Sequence, residues 1–184
     1  MMTAQVSPVT ARSTMGEVLA AYPGAQRALF RKYHIGGCSS CGFQSTETLA
    51  EVCARNQGLD VAEVLAHIRT SHEQDEKIYI SATDLAAWRA QEPSPKLLDV
   101  RSRQEFEAVH IEGSVLMSHP TMQEIMSKWL RDLGVVLIDH EGRSSLDAAA
   151  YFMGHGFSNV RCLRGGIDAW AEQIEPQMPR YQLA

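Results

Sequence analysis

The chain has 184 residues, room for one large domain or two small ones, and a composition, 45% hydrophobic and 21% charged, typical of a water-soluble fold. Its 17 basic and 22 acidic residues leave a net charge of −5, which gives no general attraction to nucleic acid or to an anionic membrane. No apolar run approaches the roughly 20 residues of a membrane span, and the four cysteines are too few and too unevenly placed for a secreted disulfide framework, so a reducing, cytoplasmic setting is expected.

Residues 1–12 have neither the basic stretch nor the apolar centre of a signal peptide and are expected to be a disordered tail. Thr14-x-x-Glu17 is a capping box, and Met15, Val18, Leu19 and Tyr22 follow at helical spacing until Pro23-Gly24. A second helix carries Leu29, Phe30 and Tyr33. Gly36-Gly37 then forces a loop holding Cys38-Ser-Ser-Cys41. A third helix presents Leu49, Val52 and Cys53, and Asp60 caps a fourth with Val61, Val64, Leu65 and Ile68 on one face. These elements form a small all-α domain over 13–70, and the polar segment 71–77 is expected to be a linker.

From residue 78 the pattern alternates. Ile78–Ile80, Leu97–Val100, Val135–Ile138 and Val160–Leu163 read as strands. Between them lie a capped helix with Leu85 and Trp88, a helical turn over 105–109, a helix holding Ile125–Leu130, and a helix over 144–155. A last helix covers 167–173, and 174–184 is expected to be a C-terminal tail. Strands alternating with helices predict an α/β domain over 78–173 with a largely parallel sheet, whose site should lie at the carboxyl ends of the strands. Asp139 begins the loop at one such end. The strand, the loop Asp139-His140-Glu141-Gly142-Arg143-Ser144-Ser145 and the following helix together make a cradle of backbone N–H groups suited to an anion.

The matching segments Asp99-Val-Arg101, Glu105-Phe106, His110-Ile-x-Gly113-Ser114, Gly156-Phe-x-Asn-Val160 and Leu163-x-Gly-Gly-Ile-x-Ala-Trp170 come in family order around that loop. Residues 78–173 therefore resemble a rhodanese-like domain. The family's loop reads Cys-x-x-Gly-x-Arg-Ser, with the cysteine carrying a persulfide. With Gly142 aligned, Asp139 stands at the nucleophile and Ser144 where the arginine belongs. Aligning Arg143 instead puts Ile138 at the nucleophile. Sulfur transfer through a covalent persulfide requires a thiolate, so the loop is expected to be inactive as a sulfurtransferase. The Asp139 carboxylate is expected to fill the anion cradle itself, and Arg143 is the candidate for anion contact or for a salt bridge to Asp139 or Glu141.

Thr14-Met-Gly-Glu-Val-Leu, Tyr22-Pro23, Cys38-x-x-Cys41, Glu47-Thr48-Leu49 and Gly58-Leu-Asp-Val-x-Glu63 resemble a helical redox-disulfide family associated with hybrid-cluster proteins. That resemblance implies a redox or metal role for Cys38 and Cys41. Three readings stay open. The pair performs thiol redox or sulfur relay beside a rhodanese-like domain that docks a protein partner or positions a sulfur species. Alternatively Cys38, Cys41 and His34 hold zinc or an iron–sulfur cluster, completed across a homodimer because such centres want four ligands. In the third reading Cys38 acts as the nucleophile of an active sulfurtransferase. No nucleic-acid or membrane partner is expected. Cys53 and Cys162 follow apolar patterns and read as core, His110 as packing, and His140 as a loop histidine able to titrate or bind.

Overall fold

The computed structural model describes residues 9–36, 42–142 and 144–181. The chain divides into two compact units, Met1–Lys77 and Ile78–Ala184.

The first unit is helical, with α1 (Met15–Ala21), α2 (Ala25–Tyr33), α3 (Leu49–Arg55) and α4 (Val61–Glu76). Thr14 with Glu17 and Thr48 with Glu51 form complete capping boxes, and Asp60 caps α4. These side chains satisfy amide donors that a helix start otherwise leaves unpaired. The two boxes are joined: Thr14 bridges Thr48, Met15 N donates to the Glu47 carbonyl at 2.7 Å, and Leu49 N donates to the Ser13 carbonyl at 3.0 Å. Met15, Val18, Leu29, Leu49, Val52, Cys53, Val64 and Ile68 close a core around these starts.

Two expectations for this unit are corrected. The part of the tail that is described is not free. Val9 is buried in the core, and Ala50 N donates to the Ala11 carbonyl at 3.0 Å. The linker expected at 71–77 continues α4 to Glu76, with Lys77 as its C-cap. Glu, Gln and Lys propagate a helix as well as they solvate a linker, and Asp75 is tied to Arg27 of α2 by an ion pair.

The second unit runs β1 (Tyr79–Ile80), α5 (Ala82–Arg89), β2 (Lys96–Asp99), α6 (Arg103–Ala108), β3 (Ser114–Leu116) and α7 (His119–Lys128). It continues β4 (Val135–Ile138), α8 (Ser145–Gly154), β5 (Val160–Leu163) and α9 (Gly166–Gln173). Every pairing is parallel, in the order β1-β5-β4-β2-β3. All four residues of β4 are buried. Val135 and Leu137 pack into the layer containing Ile125, Leu146, Ala149 and Phe152, while Val136 and Ile138 pack into the layer containing Leu85, Ile111, Ile167 and Trp170. A central strand covered on both faces has no solvent side, hence its unbroken apolar run.

The edge strand β3 adds to the expected set, and Leu130, assigned to a helix, lies beyond the end of α7 and is 72% exposed. The expected C-terminal tail, as far as residue 181, is held down. Ile174 and Met178 pack onto the Trp170 layer, and Arg180 binds Asp168 through two hydrogen bonds of 2.6 and 2.7 Å. Prolines 176 and 179 end the helical pattern, but they do not prevent single side chains from anchoring.

The connection from β2 to β3 contributes Val109 and Ile111 to one face, whereas α8, joining β4 to β5, covers the other. The strand order thus reverses between β2 and β4, and their carboxyl ends border the crevice where open parallel sheets bind ligands.

Cys53 and Cys162 are both buried, and burial pushes the Cys53 thiol up from its usual range. Thiol labelling depends on access and thiolate character. Alkylation of the native protein, mapped by mass spectrometry, is expected to leave both unmodified, and labelling under denaturing conditions should reach them.

Candidate functional site

Among the described residues, four polar or charged ones are buried: Asp99, Arg101, Asp139 and Ser145. All lie at the carboxyl ends of β2 and β4 or at the start of α8. Buried charge is costly unless it is paired, so this concentration marks the crevice as the specialised part of the unit.

Asp139 follows β4 directly. Its Oδ1 accepts the Gly142 N–H and its Oδ2 accepts the Ser145 N–H at 2.9 Å. The side chain therefore folds into its own loop and caps α8, a task that Ser144 does not perform, since its side chain makes no capping hydrogen bond. Negative charge at a helix N-terminus is favourable, and here it comes from within the loop.

The loop is clamped from the start of α9. Ile167 N donates to the Asp139 carbonyl at 2.9 Å and Asp168 N donates to the His140 carbonyl at 3.2 Å. This approach needs glycine. A Cβ on Gly166, at φ +58°, would lie 2.3 Å from the His140 carbonyl oxygen and 2.5 Å from that of Asp139. A Cβ on Gly142, at φ +81°, would lie 2.7 Å from Gly165 N and 2.9 Å from the Leu163 carbonyl oxygen. Tyr79 donates its hydroxyl to the Gly142 carbonyl at 2.7 Å, which ties β1 to the loop.

Across the crevice, Arg101 binds Asp99 at 3.0 Å through Nε and 2.6 Å through Nη2, and also donates to the Val109 carbonyl at 2.7 Å. Its Nη1 donates to the Tyr181 hydroxyl at 2.7 Å, and that hydroxyl donates to Glu105 Oε1 at 2.9 Å. The Tyr181 ring stands 4.6 Å from the His140 ring, centroid to centroid. Desolvation holds the Tyr181 phenol above its ordinary range. The hydrogen bond from Arg180 holds the Asp168 carboxyl below its own.

The structure thus brings Asp139, His140, Gly142 and Ser145 together, with Glu141 and Ser144 exposed beside them. Arg143 lies outside the described residues, as do Cys38 and Cys41. Around that pair, Gly36 and Gly42 approach so closely that a Cβ on Gly42 would lie 2.3 Å from Gly36 Cα. Gln26 Nε2 donates to the Gly36 carbonyl at 3.0 Å and Arg55 Nη2 to that of Gly42 at 2.8 Å. His34, the left-handed C-cap of α2, borders a cavity of about 390 Å³ beside this neck, together with Phe43, Glu47 and Arg55. Among the described residues no three histidine, cysteine or acidic side chains converge as a metal site. His110 is exposed, and its ring stacks on Phe106 at 4.3 Å, centroid to centroid.

Arg101, Tyr79, Gly166 and Tyr181 are site residues to which the sequence pattern assigns no role. The Asp99-x-Arg101 spacing at a strand end was a usable signal for the ion pair. Tyr181 offered none, because its partners are distant in sequence.

Residues 81–173 match the rhodanese-like domain family. A thiosulfate sulfurtransferase GlpE of Pseudomonas savastanoi pv. phaseolicola is 38% identical over 74 residues, covering 40% of this chain and 70% of the relative. The probable adenylyltransferase/sulfurtransferase MoeZ of Mycobacterium tuberculosis is 35% identical over 104 residues, 55% of this chain but only 26% of that protein. Among solved structures, the Alr3790 protein from Anabaena sp. aligns with a TM-score of 0.47 at 23% identity, covering 56% of this chain and 82% of that one. The human single-domain sulfurtransferase TSTD1 aligns at 0.45 and 22%, covering 52% and 96%.

Removing the internal cap should destabilise the unit. Asp139→Ala strands two buried N–H groups, and the expected loss is about 2–4 kcal/mol. Gly166→Ala forces an unfavourable backbone and a carbonyl clash, costing about 2 kcal/mol or more. Urea midpoints of the full chain check both.

Proposed function

This chain belongs to the rhodanese-like domain family, and from that membership we propose a sulfur- or redox-related relay protein whose thiol chemistry resides at Cys38 and Cys41. In this reading the rhodanese-like unit serves as a binding module, not as the sulfur carrier. One observation supports it above all: the Asp139 carboxylate, which stands at the family's nucleophile position when Gly142 is aligned, is committed to the Gly142 and Ser145 amides. A carboxylate cannot form a persulfide, and its charge opposes an anionic sulfur donor entering the same amides. Relatives named as sulfurtransferases make sulfane sulfur the natural cargo.

Cys38 and Cys41 supply a thiol pair at a spacing suited to the transfer. The Cys38 thiolate attacks the outer sulfur of thiosulfate, the S–S bond breaks, and sulfite leaves with the bonding pair. Cys41 thiolate then attacks the Cys38 sulfur, expelling sulfide and leaving a Cys38–Cys41 disulfide, so two thiols are oxidised as one sulfane sulfur is reduced. An external thiol reductant resets the pair. When an acceptor takes the outer sulfur first, the persulfide is passed on and no disulfide forms.

The test is thiocyanate formation from thiosulfate and cyanide by the full chain, with intact-mass analysis after thiosulfate alone. Persulfide mass and any turnover are expected to disappear in Cys38→Ser and to be altered in Cys41→Ser. Wild-type turnover by the Cys38→Ser/Cys41→Ser double variant would overturn the reading, since the transfer would then belong elsewhere. A visible absorption band in protein purified without oxygen, lost on chelation, would replace relay with a metal or iron–sulfur role for the same pair.

A further inference from the structure

The crevice between the carboxyl ends of β2 and β4 is already filled by the chain's own residues. Arg101 follows β2, His140 lies in the loop after β4, and Asp168 lies in the first turn of α9, beyond β5. Tyr181 spans the first two. Its hydroxyl bridges Arg101 and Glu105, and its ring lies against His140. Arg180, the preceding residue, reaches the third through its paired hydrogen bonds to Asp168. Upstream, Met178 is seated on the Trp170 layer and its N–H donates to the Glu175 carbonyl at 2.8 Å. The segment therefore has a fixed root and a two-residue tip placed across the point where the strand order reverses.

We propose that Arg180 and Tyr181 form an intramolecular cover on the ligand crevice, which must lift before any molecule reaches the face of His140 and the Arg101 guanidinium.

The contacts suit a cover that can open. Arg180 and Tyr181 are held by side chains, with two hydrogen bonds at the phenol, ring contacts to His140 and the Arg101 guanidinium, and partly exposed ion pairs from Arg180 to Asp168 and Glu172. The charged groups beneath, Arg101 and Glu105, remain paired when the tip leaves. Arg101 keeps Asp99 and the Val109 carbonyl, and Glu105 keeps the Ser102 amide at 3.0 Å and hydroxyl at 2.6 Å. Lifting thus exposes one free guanidinium N–H and an imidazole face without stranding a buried charge. That pair of groups suits an incoming molecule with a hydrogen-bond acceptor beside a flat or polarizable body, the pattern of the phenol it replaces. The inference concerns access to the crevice and does not depend on sulfur chemistry at Cys38 and Cys41.

The full chain and its Tyr181→Ala, Tyr181→Phe and Arg180→Ala variants are treated with diethyl pyrocarbonate, and modification of each histidine is timed by peptide mass spectrometry. His119, exposed on α7, is the internal reference. The His140-to-His119 rate ratio is expected to rise about tenfold in Tyr181→Ala, the scale of losing a hydrogen-bonded contact. Arg180→Ala and Tyr181→Phe should each give a smaller rise, because each removes only part of the hold. A ratio unchanged in Arg180→Ala and Tyr181→Phe, with native circular dichroism, would overturn the cover even if Tyr181→Ala failed to fold. Loss of thiol activity at Cys38 would leave these ratios untouched, which separates failure of the sulfur reading from failure of this one.

Discussion

The Asp139 carboxylate, held by the Gly142 and Ser145 amides, is the interaction on which the site depends. Converging amides at a strand end form a strong anion trap, and a trap with no occupant would leave polar groups buried and unpaired. In this chain a side chain supplies the occupant. The loop closes on that carboxylate, α8 takes its cap from it, and the loop's outer carbonyls are left free to accept from the start of α9. The glycines at 142 and 166 follow from the same closure, because only bare backbone fits where the two segments meet.

A second buried charge stands opposite and is handled differently. Asp99 and Arg101 neutralise each other through several hydrogen bonds, with Arg101 only 8% exposed. Leaving one partner of such a pair alone is costly, whereas the pair itself adds little net stability. Its value lies in placement: the guanidinium is fixed with one edge turned toward the crevice, at the sheet's topological reversal. The two sides of the crevice are thus a carboxylate solvated by its own loop's amides and a guanidinium pinned by Asp99.

Much of the fold was legible because local and global demands agree. The run Val135–Ile138 announced a buried strand, and the Thr14 box announced a helix start that the structure pairs with a second box at Thr48. The strand β3 was not legible. Its three residues alternate between half-buried and exposed and resemble any short loop. The segment after Ser71 is ambiguous in sequence because a solvated helix end and a linker share a composition. At the site, Asp139 stood out by its position after an apolar run, but its capping role required knowing where the chain returned. The bond between Arg101 and Tyr181 spans 80 residues and left no local trace.

The edges of the sheet carry a consequence for association. β1 has two residues and β3 has three, so neither side offers a long row of free backbone groups. Short edges are poor templates for adding a strand from another molecule. Two copies of the α/β unit would gain little by joining their sheets, and the same brevity guards the unit against edge-to-edge aggregation while its central strand β4 remains entirely apolar.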